Sequence, residues 1–411
     1  MKKHLSVILL TFTLLSCQQN TKYNAIEQIA TDIKILASDS LMGREVGTEG
    51  EKMAADYISN QFKSAGLSSK GTDGFLQSFF VKDSDNPHEE AKVGVAKDSA
   101  GITGYNVLGL IDNASDELVV IGAHYDHLGT GTFSSLHRGE AEVHNGADDN
   151  ASGVAAMMHL ARVLSKKKLN RDVLFIGMSG EEKGLWGSNY FTKNPTVDLT
   201  KVNYMINMDM VGRLDRSKGL AINGTGTSPI WNWMLDNSNL DSLKLIKGES
   251  GVGPSDHTSF YLQDIPVLHF FSGQHEDYHK PSDDSEKINE EGILLIATLI
   301  ERIVIDLDDE EKIEFTKTKD ESRDSPRFTV TLGVVPDYLY DGNGMRIDGV
   351  SDDKPAQQAG IQKGDIVIQL GDSTVSDMMS YMRALSSFKK GDQTSVTIER
   401  DGKKIDYEIK F

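Results

Sequence analysis

Cysteine is all but absent. The 411 residues hold one, Cys17, so no disulfide can close within the chain and stability must come from packing. Proline is scarce too, at 9 residues against 38 glycines, and no internal repeat is evident, which excludes collagen-like chains and repeat arrays. Basic charge is in deficit: 43 Lys and Arg face 62 Asp and Glu, for a formal net charge of -19. An excess of that sign repels phosphate backbones and anionic lipid surfaces, so nucleic acid is not an expected partner. What is present, 38% hydrophobic and 26% charged residues, is the composition of a folded globular protein, long enough for two or three domains.

The N-terminal apolar run, Leu5 to Leu15 behind Lys2 and Lys3, is too short to span a bilayer and fits the core of a secretion signal. Leu14-Leu15-Ser16-Cys17 resembles the lipobox of bacterial lipoproteins. That resemblance implies a signal peptide at 1–16, a tether at 17–23, and a lipid on Cys17 that holds the protein to a membrane of the bacterial cell envelope. Gln18 is not the aspartate that commonly retains lipoproteins at an inner membrane, which favours the outer one.

Helical spacing of Ile26, Ile29, Ile33 and Leu36, and again of Ala54, Tyr57, Ile58 and Phe62, predicts helices on either side of a glycine-rich turn at 41–50. From Tyr105 to about Ile303, short apolar runs alternate with helical patterns, the signature of an α/β sheet with helices on its faces. The best strand candidates are Leu118–Ala123, Val173–Met178, Val202–Met208 and Ile265–Phe271, with a helix over about 152–164. Residues 306–327 read as a charged, solvated linker. Alternating strands then return at Phe328–Val335, Gly344–Val350, Asp365–Leu370, Thr394–Arg400 and Lys404–Phe411, the last two joined by an Asp401-Gly402 turn.

Acids and histidines collect just past the predicted strand ends: His124 and Asp126, Glu181 and Glu182, and Asp209. Asp148 and Asp149 precede a helix, and His279 comes late. In open α/β sheets ligands bind at the carboxyl ends of strands, so these groups can converge, and imidazole with carboxylate is a donor set that suits zinc. A paired-metal site needs a bridging carboxylate, a few further ligands, and an unliganded carboxylate as general base. The adjacent Glu181-Glu182 suits that division of labour.

Six blocks in order, AHYDHLG (123–129), NGADDNASG (145–153), SGEEKGLWGS (179–188), NMDMVGR (207–213), SDHTSF (255–260) and DYHKPSD (277–283), with Gly43-Arg44 and Gly47-Thr48 before them, resemble the di-zinc aminopeptidase family related to aminopeptidase Y and glutamate carboxypeptidase. The resemblance spans residues 24–305 and implies the zinc-exopeptidase fold, a mixed central α/β sheet flanked by helices, and two Zn2+ per chain. It implies that His124 and Asp209 hold one zinc, Glu182 and His279 the other, and that Asp149 bridges them. Glu181 would be the general base, Asp126 would orient His124, and Tyr278 would stabilise the oxyanion. The implied reaction is hydrolysis of N-terminal residues from peptides by a metal-activated water. Carboxypeptidases and glutaminyl cyclases share the fold, and a non-catalytic adaptor is a further alternative. Asp256 and His257 either line the substrate pocket or stabilise their loop. His127, His137 and His144 lie in the loop between the ligands and read as groups that either support the ligands from behind or sit at the surface, not as metal ligands, and Asp283 reads as a support for the histidine side.

Residues 328–411, with the motif PAQQAGIQKGDI (355–366), resemble a small, mostly-β PDZ domain of the bacterial protease-associated type. Leu332, Gly333, Val334 and Val335 stand where that family's carboxylate-binding loop would lie, implying a groove for a C-terminal peptide ligand.

Overall fold

The computed structural model describes residues 24–82, 92–93, 101–131, 134–319, 329–337, 339–340, 342–351 and 354–411. The expected signal peptide, the lipobox and Cys17 lie outside them. Among the described residues no helix is long and apolar enough to cross a membrane.

The first sheet is built from β1 (Ser68–Ser69), β2 (Leu76–Lys82), β3 (Lys92–Val93), β4 (Ile102–Ile111), β5 (Leu118–His124), β6 (Asp172–Met178), β7 (Val202–Met208), β8 (Leu220–Asn223), β9 (Leu245–Gly248) and β10 (Val267–Phe271). Their order is β3-β2-β4-β6-β5-β7-β10-β8-β9, with β1 on β4. At the centre β5 runs parallel to both β6 and β7, and β7 is parallel to β10; the outer pairs β4–β6 and β10–β8 are antiparallel. Strands covered on both faces are mostly apolar, and β5 and β7 are buried along their whole length; the two asparagines of β7 are paired, Asn207 donating to Ser255 and Asn203 accepting from Ile313 N–H.

Alternate residues of β5 serve opposite faces. Val119, Ile121 and Ala123 join a core with α1 (Ala25–Leu36), α2 (Glu49–Ser64) and α3 (Gly153–Leu164). Leu118 and Val120 join another with Phe191 of α4 (Trp186–Lys193). The short α5 (Trp231–Ser238) and α6 (His257–Tyr261) follow, and α7 (Glu290–Asp306) closes the first face, its N-terminus capped by Asn289, which accepts from the Gly292 N–H. The four strands expected at the sheet's centre are found within two residues of their predicted ends.

The second sheet has the order β11-β12-β13-β15-β16, with β14 on β13, all antiparallel. Its strands are β11 (Val334–Pro336), β12 (Met345–Val350), β13 (Ile366–Leu370), β14 (Ser373–Thr374), β15 (Gln393–Arg400) and β16 (Lys403–Lys410). Leu332, Ile347, Val367, Val396 and Ile398 form its core with α8 (Pro355–Ala359) and α9 (Met378–Ser386) beside it. Asp401 and Gly402 both take positive φ, 51° and 72°, as a two-residue hairpin turn of this hand requires.

Two expectations need correction. Phe328, the predicted start of a strand, lies outside the described residues; from 329 on the strand begins only at Val334, because Leu332 turns its side chain into the core and Gly333 sits at φ 78°. The connector is not free in solvent over 307–319. Arg171 donates to the carbonyls of Leu307 and Glu310, Ile313 N–H donates to Asn203 (3.0 Å), and the Phe315 ring lies 5.6 Å from that of Tyr261. The domains also touch: Lys218 Nζ is 3.3 Å from Asp348, and Leu339 lies against Gly273.

Candidate metal centre

β5 lies between β6 and β7 and all three are parallel, so their carboxyl ends fall side by side, the place where open α/β sheets hold their ligands. His124 is the last residue of β5 and Asp209 the first after β7. Glu181 and Glu182 follow β6 through Ser179 and Gly180, the glycine at φ 74°. Asp149 lies in the turn that enters α3, and His279 in the loop after β10.

Two overlapping sets bring their donor atoms within 4.8 Å of one another: His124, Asp149 and Asp209, and His127, Asp149 and Glu182. His124 Nε2 is 3.3 Å from Asp209 Oδ1 and 3.4 Å from Asp149 Oδ1. His279 Nε2 is 3.3 Å from Asp149 Oδ2 and 3.2 Å from Glu182 Oε2. Zinc bonds of about 2.0–2.1 Å at tetrahedral angles set donor atoms about 3.3 Å apart, so these four spacings fit such an ion. The two oxygens of Asp149 face different sets, as a bridging carboxylate must.

The frame around these donors is built from buried polar groups. Arg44, itself buried, donates to the carbonyls of Tyr125, Asn145 and Gly146, tying the strand that carries His124 to the loop that carries Asp149. Asp283 accepts from the N–H groups of Asp148 (2.8 Å) and Asp149 (3.1 Å), and is itself held by Arg213 (3.0 Å). Asn150 joins Met208 O and Met210 N, on either side of Asp209. His279 Nδ1 donates to Ser134 O at 2.9 Å, which leaves Nε2 for the centre.

Burial pushes Glu181 well above the usual carboxylate range; His124 opposes that, while Asp209, Asp256 and Glu182 add to it. Burial also raises Glu182 and Asp149, but the histidines around them outweigh it and both end below their ordinary values. His279 is raised in turn by Glu182 and Asp149 against the cost of burial. Four acids, Glu181, Glu182, Asp149 and Asp209, thus gather around the imidazoles of His124, His127 and His279, a charge distribution that cations complete.

Of the other expected residues, Asp126 lies beside His124 but does more for Glu181. His124 Nδ1 is 3.3 Å from the Asp126 main-chain oxygen and 3.7 Å from its carboxylate, whose Oδ1 accepts the Glu181 N–H at 3.1 Å. Tyr278 stacks on His279 with ring centroids 3.8 Å apart. Asp256 and His257 are fully buried and do not wall an open pocket. Burial raises Asp256 to about 7, against the pull of His124, and His257 stacks on His269 at 4.5 Å. In the second domain Leu332 belongs to the core, whereas Val334 and Val335 lie on β11, an edge strand of the kind to which an extended peptide adds. Of the two readings open for His127, support of a ligand or a place at the surface, the structure fits the first: it is buried at the centre with Nδ1 2.7 Å from Glu182 Oε1. Its place three residues past the end of a buried strand was the signal available.

Comparison with known proteins agrees with this geometry. Residues 106–304 match peptidase family M28, and residues 313–411 match the PDZ domain. The chain is 29% identical over 209 residues to aminopeptidase YwaD of Bacillus subtilis, an alignment covering 48% of this chain and 42% of that protein. Among solved structures, the Legionella pneumophila LapA aminopeptidase aligns with a TM-score of 0.52 at 21% identity, over 69% of this chain and 72% of that one. A Porphyromonas gingivalis glutaminyl cyclase aligns with a TM-score of 0.54 at 17% identity, over 68% and 98%. At such identities these structures speak to the fold. The chain carries a peptidase family M28 domain followed by a PDZ domain.

Proposed function

We propose that the protein is a zinc-dependent aminopeptidase holding two metal ions, with residues 24–305 as its catalytic unit, 306–327 as connector and 328–411 as the appended PDZ domain. The observation that carries the reading is Asp149, whose Oδ1 faces His124 and whose Oδ2 faces His279. His124 and Asp209 would hold one ion, and Glu182 and His279 the other. Two zinc ions there would supply Lewis acidity toward a peptide carbonyl and acidify the attacking water.

Glu181 belongs to neither donor set, and its main chain is fixed by Asp126. It is the group left to accept a proton from the attacking water and return it to the leaving amine, and its raised proton affinity suits both roles. Tyr278, beside His279, is the candidate donor to the oxygen on which charge develops.

Zinc-loaded protein from Gln18 onward, incubated with free and N-acetylated peptides and followed by mass spectrometry, tests this against a Glu181→Ala blank. Stepwise loss from free N-termini only, absent in the blank, is expected. Trimming of both peptide sets from the C-terminus would make it a carboxypeptidase. Cyclisation of N-terminal glutamine without cleavage would make it a cyclase, and no reaction at all would make it an adaptor.

The first residues support lipid attachment at Cys17 and a place in the bacterial cell envelope. Incorporation of a clickable palmitate that disappears in Cys17→Ala is expected; an unlabelled wild type would reject the anchor.

A further inference from the structure

His127 stands at the centre without fitting either role assigned there. Its Nδ1 is 2.7 Å from Glu182 Oε1 and 3.8 Å from Asp149 Oδ2. Two donors sharing one zinc sit about 3.3 Å apart. A separation of 2.7 Å is instead that of a charge-assisted hydrogen bond, and 3.8 Å is too long to be one. The two oxygens of Glu182 are thereby divided: Oε1 meets His127, and Oε2 meets His279 at 3.2 Å, a spacing that does fit a shared ion.

We infer that His127 is a positioning residue that donates its Nδ1–H to Glu182 Oε1, fixing that carboxylate to offer the single oxygen Oε2 to the second metal. The inference rests on the metal reading above. The imidazole is held for this task from its backbone: the His127 N–H donates to Arg44 O at 3.3 Å, and Arg44 Nε donates back to Tyr125 O at 2.7 Å. The ring is buried, so water cannot replace it as donor. Without that donor, Glu182 can rotate to offer both oxygens or swing toward His279. Partners that orient a metal ligand from outside typically contribute about 10–100-fold in metal affinity.

The geometry also predicts which substitution rescues. The amide nitrogen of asparagine falls where Nδ1 of histidine lies, whereas that of glutamine falls one bond further out. Metal-stripped wild type, His127→Ala, His127→Gln and His127→Asn should be titrated with Co2+ and with Zn2+ against a chelating indicator. The wild type is expected to take two ions. His127→Ala and His127→Gln should keep the first site and weaken the second by about 10–100-fold, and His127→Asn should restore it to within about threefold. His127→Gln keeps the test open if the alanine variant does not fold. An unchanged second site in both loss variants overturns the inference. So does an asparagine variant as weak as alanine, which would make the ring itself a ligand. A wild type that binds fewer than two ions removes the two-metal reading, and this inference with it.

Discussion

In each domain an arginine ties separate segments together, and the two guanidinium groups do opposite work. Arg44 in the peptidase domain is 1% exposed, and its hydrogen bonds all end on main-chain carbonyls, those of Leu36, Tyr125, Asn145 and Gly146. Arg400 in the PDZ domain leaves 27% of its side chain exposed and forks onto Asp365 at 2.6 and 2.7 Å. Burial lowers Arg44 to about 10, resisted by the field of Asp149, Asp126, Asp283 and Glu182. The pair with Asp365 moves Arg400 the other way. A buried cation with no carboxylate in its hydrogen-bond shell is tolerable only near an excess of acids, and the metal centre supplies that excess. Arg44 is therefore part of the centre's framework, while Arg400 staples a local turn.

The larger effect belongs to Arg44. Arg44→Met leaves four carbonyls without their donor and removes the cation from beneath the acids, which is expected to cost about 3–5 kcal/mol. Arg44→Lys should recover little, since one ammonium cannot span carbonyls on three separate segments. All three tryptophans, Trp186, Trp231 and Trp233, lie in the peptidase domain, so fluorescence-detected urea unfolding follows that domain alone. Bound zinc should fall with the unfolding midpoint. A methionine variant with an unchanged midpoint and full zinc would place Arg44 outside the framework.

The same contrast explains what could be read in the sequence. The central strands were legible because a strand buried on both faces makes a mostly apolar run, as in Leu118–Val119–Val120–Ile121. The candidate donors could be picked out because several of them interrupt those runs at their carboxyl ends, and the block order carried the resemblance. His127 was legible only as a choice between ligand support and surface, because a histidine in a loop looks the same whether it faces solvent or Glu182; only the fold supplies the 2.7 Å contact. Asp256 and His257 left two readings open, pocket lining or loop support, because a polar pair looks the same in either place; both are covered completely, which accords with the second. In the connector, charge density hid Ile313 and Phe315, whose apolar side chains dock on the peptidase domain. The start of β11 was misplaced because Leu332 and Val334 alternate as a strand would, while Gly333 between them turns the chain.

The smaller effect belongs to Arg400. Asp365 is buried and keeps a second bond, accepting the Gln362 N–H at 2.8 Å, so removing the arginine leaves the carboxylate partly satisfied. Arg400 Nη2 also reaches the Gly360 carbonyl at 3.1 Å, linking the end of α8 to β15. Being partly exposed and screened, the pair is expected to contribute only about 1 kcal/mol, toward the upper end for such contacts because the fork is bidentate. Hydrogen exchange across β15 and β16 measures this domain separately from the tryptophans. Arg400→Ala should speed exchange there by about fivefold, a difference that shrinks in high salt, and Arg400→Ala combined with Asp365→Asn should recover part of it. Peptide turnover and zinc content should not change. If Arg400→Ala lowers either one, the stapled turn reaches the metal centre after all, and the two arginines serve one framework.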